Sequence, residues 1–292
     1  MSRATAAGRA TVRRLCRAFA ISRQAYYAAQ RAPAAGARVV RLAVRPDVTP
    51  AATVVVAIKA ILAVEAAWGV RKVWAALRRR GLRVSRRRVW ALMHAQGLVL
   101  AREREPGGPP PRGHVVVPDP NRRWATDLTT VWTRREGWVA VVPTIDCGCR
   151  SVLALDVTKD QSAPAVLRAI DTLLGAQFGT AGAVPEGLEL GTDHGPQYTG
   201  QDCADLVARW GLVHTLAPVG RPTGNAVVER VIRTMKEECV WLQDWESAAE
   251  LRAALTAWQR RYNETRPHQA LGWQTPAERR AAKLGGPTAI AA

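Results

Sequence analysis

The residues best placed to do chemistry lie between Gly220 and Glu238, in the run GRPTGNAVVERVIRTMKEE. Gly220-Arg221-Pro222 reads as a turn leading into a helix. Asn225, Glu229 and Arg233 then fall at i, i+4 and i+8, with Lys236 seven residues past Glu229. Helical geometry gathers these four on one face. Val227, Val228, Val231 and Met235 fall on the other and can pack on a core. A carboxylate set between an amide and two cations could hold a metal ion beside a phosphate. A solvated amphipathic helix would show the same pattern, so the run needs partners before it means anything chemical.

Two partners lie upstream. Asp193 stands in LGTDHGPQYTG, at the end of a short apolar run. Asp127 stands in RRWATDLTTVW, in the middle of a strand-like segment. The spacing is 66 from Asp127 to Asp193 and 36 from Asp193 to Glu229. This set resembles the D,D,E catalytic core of the retroviral-integrase superfamily. More narrowly, it resembles the insertion-sequence transposases encoded by the second of two overlapping frames. The resemblance runs from about Ile21 to Arg280 and includes Y-N-x-x-R-P-H-x-x-L-x-x-x-T-P from Tyr262 to Pro276. Two positions depart from the family pattern. Gly224 stands where Asp usually precedes Asn-Ala, and Arg230 stands where Ser or Phe usually follows the glutamate. Neither change removes an acid.

Charge is distributed unevenly. The formal net charge is +18, but residues 1–112 hold 23 Lys+Arg against 4 Asp+Glu, and residues 113–292 hold 19 against 20. A basic arm joined to a balanced domain suggests a polyanion-binding region attached to a catalytic one. No stretch reaches the roughly 18 uninterrupted apolar residues of a membrane span. The basic start has no apolar run of signal-peptide type. A cytoplasmic, nucleoid-associated protein is expected. The five cysteines, Cys16, Cys147, Cys149, Cys203 and Cys239, are odd in number and scattered, which predicts free thiols. Cys147-Gly-Cys149 lacks zinc-knuckle spacing. No His precedes His94, so the His-His-Cys-Cys module of some integrase relatives is not expected.

The elements that must position the acids follow in chain order. Residues 1–32 read as a short helical basic segment, with Leu15, Phe19 and Ile21 available to pack and Ser22 capping a second helix. Residues 33–50 read as a linker. A helix is expected over 51–67 through Val54, Ile58, Ile61 and Leu62. From Trp68 to Leu98, one helix uses Val70, Val73, Trp74 and Leu77. Gly81 ends it, and Val84-Ser85 opens another lined by Val89, Trp90, Leu92 and Met93. This reads as an all-α helix-turn-helix domain over 51–100. Arg86, Arg87 and Arg88 in the first turn of its second helix, with Arg71 and Lys72, are candidate DNA contacts, mainly to phosphate. Residues 101–121, rich in Pro and Gly, read as a linker.

The catalytic core is expected over 122–280, with a tail from 281. Strands are predicted at 124–132, 137–145 and 151–157, forming an antiparallel meander. A helix follows at 162–178, then a strand at 187–192, a helix at 201–210, a strand at 212–217, and the Glu229 helix. This order is that of the RNase H-like fold, an α/β mixed sheet with helices on its faces. It would put Asp127 on the first strand, Asp193 past the neighbouring fourth strand, and Glu229 on a helix packed against that edge. Three gathered carboxylates need a cation. Oxygen ligands suit Mg²⁺, with Mn²⁺ able to substitute and two ions expected when DNA is bound.

Other assignments follow from the resemblance. Asp146 belongs to a structural turn and stands outside the metal set. From their own chemistry, His194 either contacts substrate phosphate or shapes the turn, and Asn225 either orients Glu229 or contacts DNA, while Arg233 and Lys236 are candidate DNA contacts. Trp124 is expected in the core, and the segment after Ser247 is expected to close over it. The implied activity is metal-dependent strand cleavage and strand transfer on double-stranded DNA. The implied assembly is a homo-oligomer on DNA, with a companion first-frame protein or a fusion to one. A DNA-binding regulator without catalysis and a plain metal-dependent nuclease are the alternatives.

Overall fold

The computed structural model describes residues 11–30, 49–100, 116–217 and 225–285. The chain divides into two compact units, residues 1–47 and 48–292. In the first, α1 (Val12–Ala18) is capped by Thr11, and α2 (Arg23–Gln30) begins after Ser22, whose Oγ accepts from the Ala25 N–H at 3.0 Å. Among its described residues, Cys16 and Tyr26 are the buried apolar ones. Phe19 and Ile21, expected to pack, are exposed instead.

The second unit begins with three helices, α3 (Ala51–Val64), α4 (Val70–Arg79) and α5 (Arg86–Ala95). Val54, Ile58, Ile61, Val73, Leu77, Val89 and Met93 form their shared core. This is the apolar set that the 3.6-residue period picks out. Gly81, at φ +80°, takes the left-handed conformation that turns the chain out of α4. Ser85 caps α5, accepting from the Arg88 N–H at 3.3 Å. Trp90, expected inside, is half exposed and stacks on His94.

Six strands then build one sheet: β1 (Arg123–Thr126), β2 (Thr129–Thr133), β3 (Gly137–Asp146), β4 (Val152–Thr158), β5 (Glu189–Thr192) and β6 (Val213–Leu216). The order is β2-β3-β1-β5-β6, with β4 on β3. β3 runs antiparallel to β1, β2 and β4, while β5 is parallel to β1 and β6. Helices α6 (Ala163–Phe178) and α8 (Gln201–Trp210), with the short α7 (Pro196–Thr199) between them, pack Ile170, Leu174, Leu206 and Trp210 with Trp124 and Leu190 on one face. Helices α9 (Ala226–Glu238) and α10 (Ala248–Glu264) pack Val228, Val231, Met235, Leu251 and Trp258 with Ala125, Val139 and Ile145 on the other. Neighbours Trp124 and Ala125 thus enter opposite cores, as strand alternation requires. This is the α/β mixed sheet of the RNase H-like arrangement.

Several boundaries differ from the sequence reading. The single strand expected over 124–132 is two strands, β1 and β2, broken at Asp127 and Leu128. Both pair with β3 in one continuous register, Thr126 opposite Thr144 and Thr129 opposite Val141. No residue is inserted. Continuing that register puts Pro143 opposite Asp127, and Pro143 has no N–H to give a neighbouring strand. The Glu229 helix begins at Ala226, later than expected, and residues 218–224 lie outside the described part. The helix expected over 51–67 ends at Val64.

The expected linker reaches less far than 121. Of its residues, 101–115 lie outside the described part, whereas Asn121 donates its N–H to Asp146 at 2.7 Å and Asp119 pairs with Lys283 at 2.8 Å. Gly148 sits so close to Asp119 that an added Cβ would stand 2.1 Å from its carbonyl oxygen. Lys283, expected in a loose tail, belongs to α11 (Pro276–Leu284), which Thr275 and Glu278 open with a capping box. Residues 286–292 lie outside the described part.

Helix α4 rests on the C-terminal half of this same unit. Trp74 meets Trp273 edge-on at 5.5 Å between centroids, and Arg79 donates to Glu278 at 2.8 Å. Arg71 donates to Gln269 at 3.4 Å. Lys72, expected on DNA, is paired instead with the buried Glu238. Burial holds the Lys72 ammonium below its ordinary range, with repulsion from Arg266 adding to it. A lysine so placed stabilises the contact of helix and core and is not free to meet phosphate.

Candidate active site

Asp127 and Asp193 are brought level by register. β1 and β5 pair in parallel with Arg123 opposite Glu189, Trp124 opposite Leu190 and Ala125 opposite Gly191. That offset equals the 66-residue spacing of the two acids. Carried two residues past Ala125, it places Asp127 beside Asp193 at the C-terminal ends of adjacent strands. This is the end at which open α/β sheets present their chemistry.

The break at Asp127 frees its side chain and main chain from the ladder. Its Oδ1 accepts from the Leu128 N–H at 2.7 Å. Asp193 turns the chain after β5, its Oδ1 accepting from the Gly195 N–H at 2.9 Å. Glu229 stands in the first turn of α9, with its side chain exposed.

Asn225 sits at the N-cap position of α9 and is buried. Its Nδ2 donates to the Thr126 carbonyl at 3.2 Å, across 99 residues of sequence. This bond ties the start of the Glu229 helix to the residue before Asp127. Asn225 was expected on the open face with Glu229 and is buried instead, which suits the orienting one of its two expected roles. Its Oδ1 is buried with no hydrogen-bond partner among the described residues.

Two of the carboxylates, Asp127 and Glu229, open on a cleft of about 530 Å³, lined also by Leu128, Thr129, Ile232, Arg233, Lys236 and Trp241, while Asp193 stands outside that lining. Burial raises the Asp127 carboxyl to about 6. The Leu128 N–H opposes that rise, while the charges of Asp193 and then Glu229 add to it. Asp127 is therefore close enough to feel both of the other acids. Among the described residues, however, no three His, Cys, Asp or Glu side chains already stand close enough to hold one ion. The cations follow on α9. Arg233 shares its guanidinium with Glu237 at 2.9 Å, and Lys236 is half-buried on the cleft wall.

The other candidates fall outside this cleft lining. His194 is exposed and bonded through Nε2 to the Ala217 carbonyl at 2.7 Å, closing the turn after β5 onto the end of β6. Asp146 is fully buried and accepts from the N–H groups of Asn121, Gly148 and Cys149, with Arg280 at 3.1 Å. It is a structural turn acid. Trp124 is core, stacked on Phe178 at 5.4 Å. Arg86 lies over the Trp74 ring at 5.5 Å, while Arg87 and the half-buried Arg88 follow it in the first turn of α5. The five cysteines are unbridged and buried. Sequence reasoning missed two features, Trp241 in the cleft and the buried cluster around Glu238. Trp241 matches no motif, and the partners of Glu238 lie far away in sequence.

Known protein families match both the helical and the sheet-bearing parts of the chain. Two models described as integrase core domain match residues 117–222 and 211–276, and one described as an HTH-like domain matches residues 51–106. The transposase for insertion sequence element IS629 from Shigella sonnei is 28% identical over 222 residues, covering 72% of this chain and 73% of its own length. The two integrase-core matches together span residues 117–276, more than half of the chain, so the chain belongs to the integrase core family, and it is similar to insertion-sequence transposases. A second relative is the uncharacterized 31.7 kDa protein of insertion element IS407 from Burkholderia multivorans. It is 28% identical over 168 residues, and the chain spans only 58% of that relative's length. Among solved structures, the catalytic core domain of BIV integrase is similar over 56% of this chain and 95% of that one, at 23% identity and a TM-score of 0.42.

Proposed function

We propose that this chain is a transposase that cuts and rejoins DNA, with Asp127, Asp193 and Glu229 as its catalytic carboxylates. The observation that carries this reading is the register that sets Asp127 beside Asp193, with Glu229 opening on the same cleft as Asp127. The donor set is all carboxylate oxygen, and burial with like charge resists ionisation of Asp127. Such a site fits a hard divalent cation. Bound Mg²⁺ or Mn²⁺, as two ions with DNA in place, would polarise the attacking and leaving oxygens of an in-line displacement.

The chain's own groups do the rest. The three carboxylates hold the reacting phosphodiester's surroundings in a fixed geometry, and Asn225 fixes the Glu229 helix against the strand end. Lys236 and Arg233 face the same cleft and neutralise phosphate charge. Arg86, Arg87 and Arg88 hold the duplex through its backbone. Water attacks a phosphodiester at the element's end and frees a 3′-OH. That hydroxyl attacks a second phosphodiester, forming one P–O bond as another breaks, with no covalent link to protein. We assign DNA binding to residues 51–100 and catalysis to 122–280. We further propose a homo-oligomer on DNA, a companion first-frame protein or fusion, and a cytoplasmic site of action. Among the described residues no helix is long and apolar enough to cross a membrane.

A strand-transfer assay tests this reading. DNA from the flanks of the gene is incubated with purified protein and Mg²⁺ or Mn²⁺, and wild type is compared with Glu229→Gln. Nicked and joined products that vanish in the variant are expected. Nicking without joining, even with the upstream-frame product added, would favour the nuclease. Equal DNA binding by both proteins without cleavage would favour the regulator.

A further inference from the structure

We propose that Trp241 is a stacking platform for an unpaired nucleobase at the mouth of the acid cleft. The proposal rests on the reading above only in taking this cleft to receive DNA. Trp241 lines the cleft with Asp127, Glu229, Arg233 and Lys236 and is 66% exposed. A large aromatic left this open contributes little to folding.

Its backbone is nevertheless held firmly. Trp241 stands in a single 3₁₀ turn, Val240–Leu242, directly after α9. Cys239 and Val240 on one side and Trp245 on the other are buried, and the Trp245 Nε1–H donates to the Val240 carbonyl at 3.0 Å. An exposed ring on an anchored turn, next to cations and opposite carboxylates, is what recognition of a single strand needs. The cations take the phosphates and the ring takes a base face. Bases in a duplex are already stacked on their neighbours. The ring can therefore gain a partner only where strands separate, as at a frayed or freshly cut end.

The test uses the full-length chain in metal-free buffer, so that no cutting is required. Failure of the cut-and-join reading would leave this measurement intact. Fluorescence anisotropy compares an oligothymidylate of about ten nucleotides with an abasic strand of the same length. The abasic strand keeps the phosphates and lacks the bases, so basic residues elsewhere contribute equally to both. Wild type is expected to prefer the thymidylate, and Trp241→Ala to lose about tenfold of that preference. Trp241→Phe should retain most of it, because a ring remains. An unchanged preference in Trp241→Ala would overturn the proposal and leave the exposed ring to another chain. A loss in Trp241→Phe as large as in Trp241→Ala would also overturn it, because a ring would then not suffice.

Discussion

Replacing Glu238 with alanine is expected to cost about 3–5 kcal/mol of stability, the typical effect of stranding buried charge. Glu238 ends the helix that carries Glu229 and is only 7% exposed. Lys72 pairs with its Oε1, and Arg266 donates through Nε to both oxygens at 3.2 and 3.1 Å. Without the carboxylate, Lys72 and Arg266 confront each other in a half-dry pocket. Nearby His268 supplies no negative charge in its place, and burial first and then Arg266 push it down to about 2, so it stays neutral and adds no further cation. Lys72→Met should cost less, because Arg266 still satisfies Glu238 and the methionine fills the same space. Urea-induced unfolding of the two variants checks the order. A Glu238→Ala variant within about 1 kcal/mol of wild type would show that water compensates the pair.

Asp127→Asn is expected to act in opposite directions on stability and activity. The Asp127 carboxyl is raised from 3.8 to about 6, chiefly by burial. The folded chain therefore holds this proton more tightly than the unfolded chain does. The resulting stabilisation is full below the unfolded value and is lost as pH rises through about 6. In chelator, wild type should melt at a higher temperature at pH 5 than Asp127's contribution allows at pH 8. The asparagine variant should lack that increment and exceed wild type at pH 8. Cutting and joining should fall by about 10³-fold or more, since an amide replaces an anionic ligand where several kcal/mol of transition-state stabilisation arise. Thermal melts at the two pH values and product yields from one preparation measure both effects.

Much of this arrangement is legible in the sequence. Apolar period marks every long helix, and Val54, Ile58, Val73, Leu77, Val166, Leu174, Leu251 and Trp258 are buried where that period places them. The 66-residue spacing is visible too, although its meaning as a strand register emerges only once β1 and β5 are paired. The break at Asp127 is hidden because its cause, Pro143, lies on another strand. Lys72 reads as one more arginine-like cation in a basic arm, since its partner is 166 residues away. Phe19 and Ile21 read as core because apolar type alone does not say whether the two described helices are large enough to bury them.

Iron-directed backbone cleavage is the most direct test of whether the three carboxylates share one cation site. Fe²⁺ replaces Mg²⁺ with DNA bound, peroxide is added, and the chain is cut beside the ion. Fragments ending near Asp127, Asp193 and Glu229 together, all lost in Asp127→Asn, are the predicted result. Cuts at only one of these positions, or cuts that persist in the variant, would contradict a shared site.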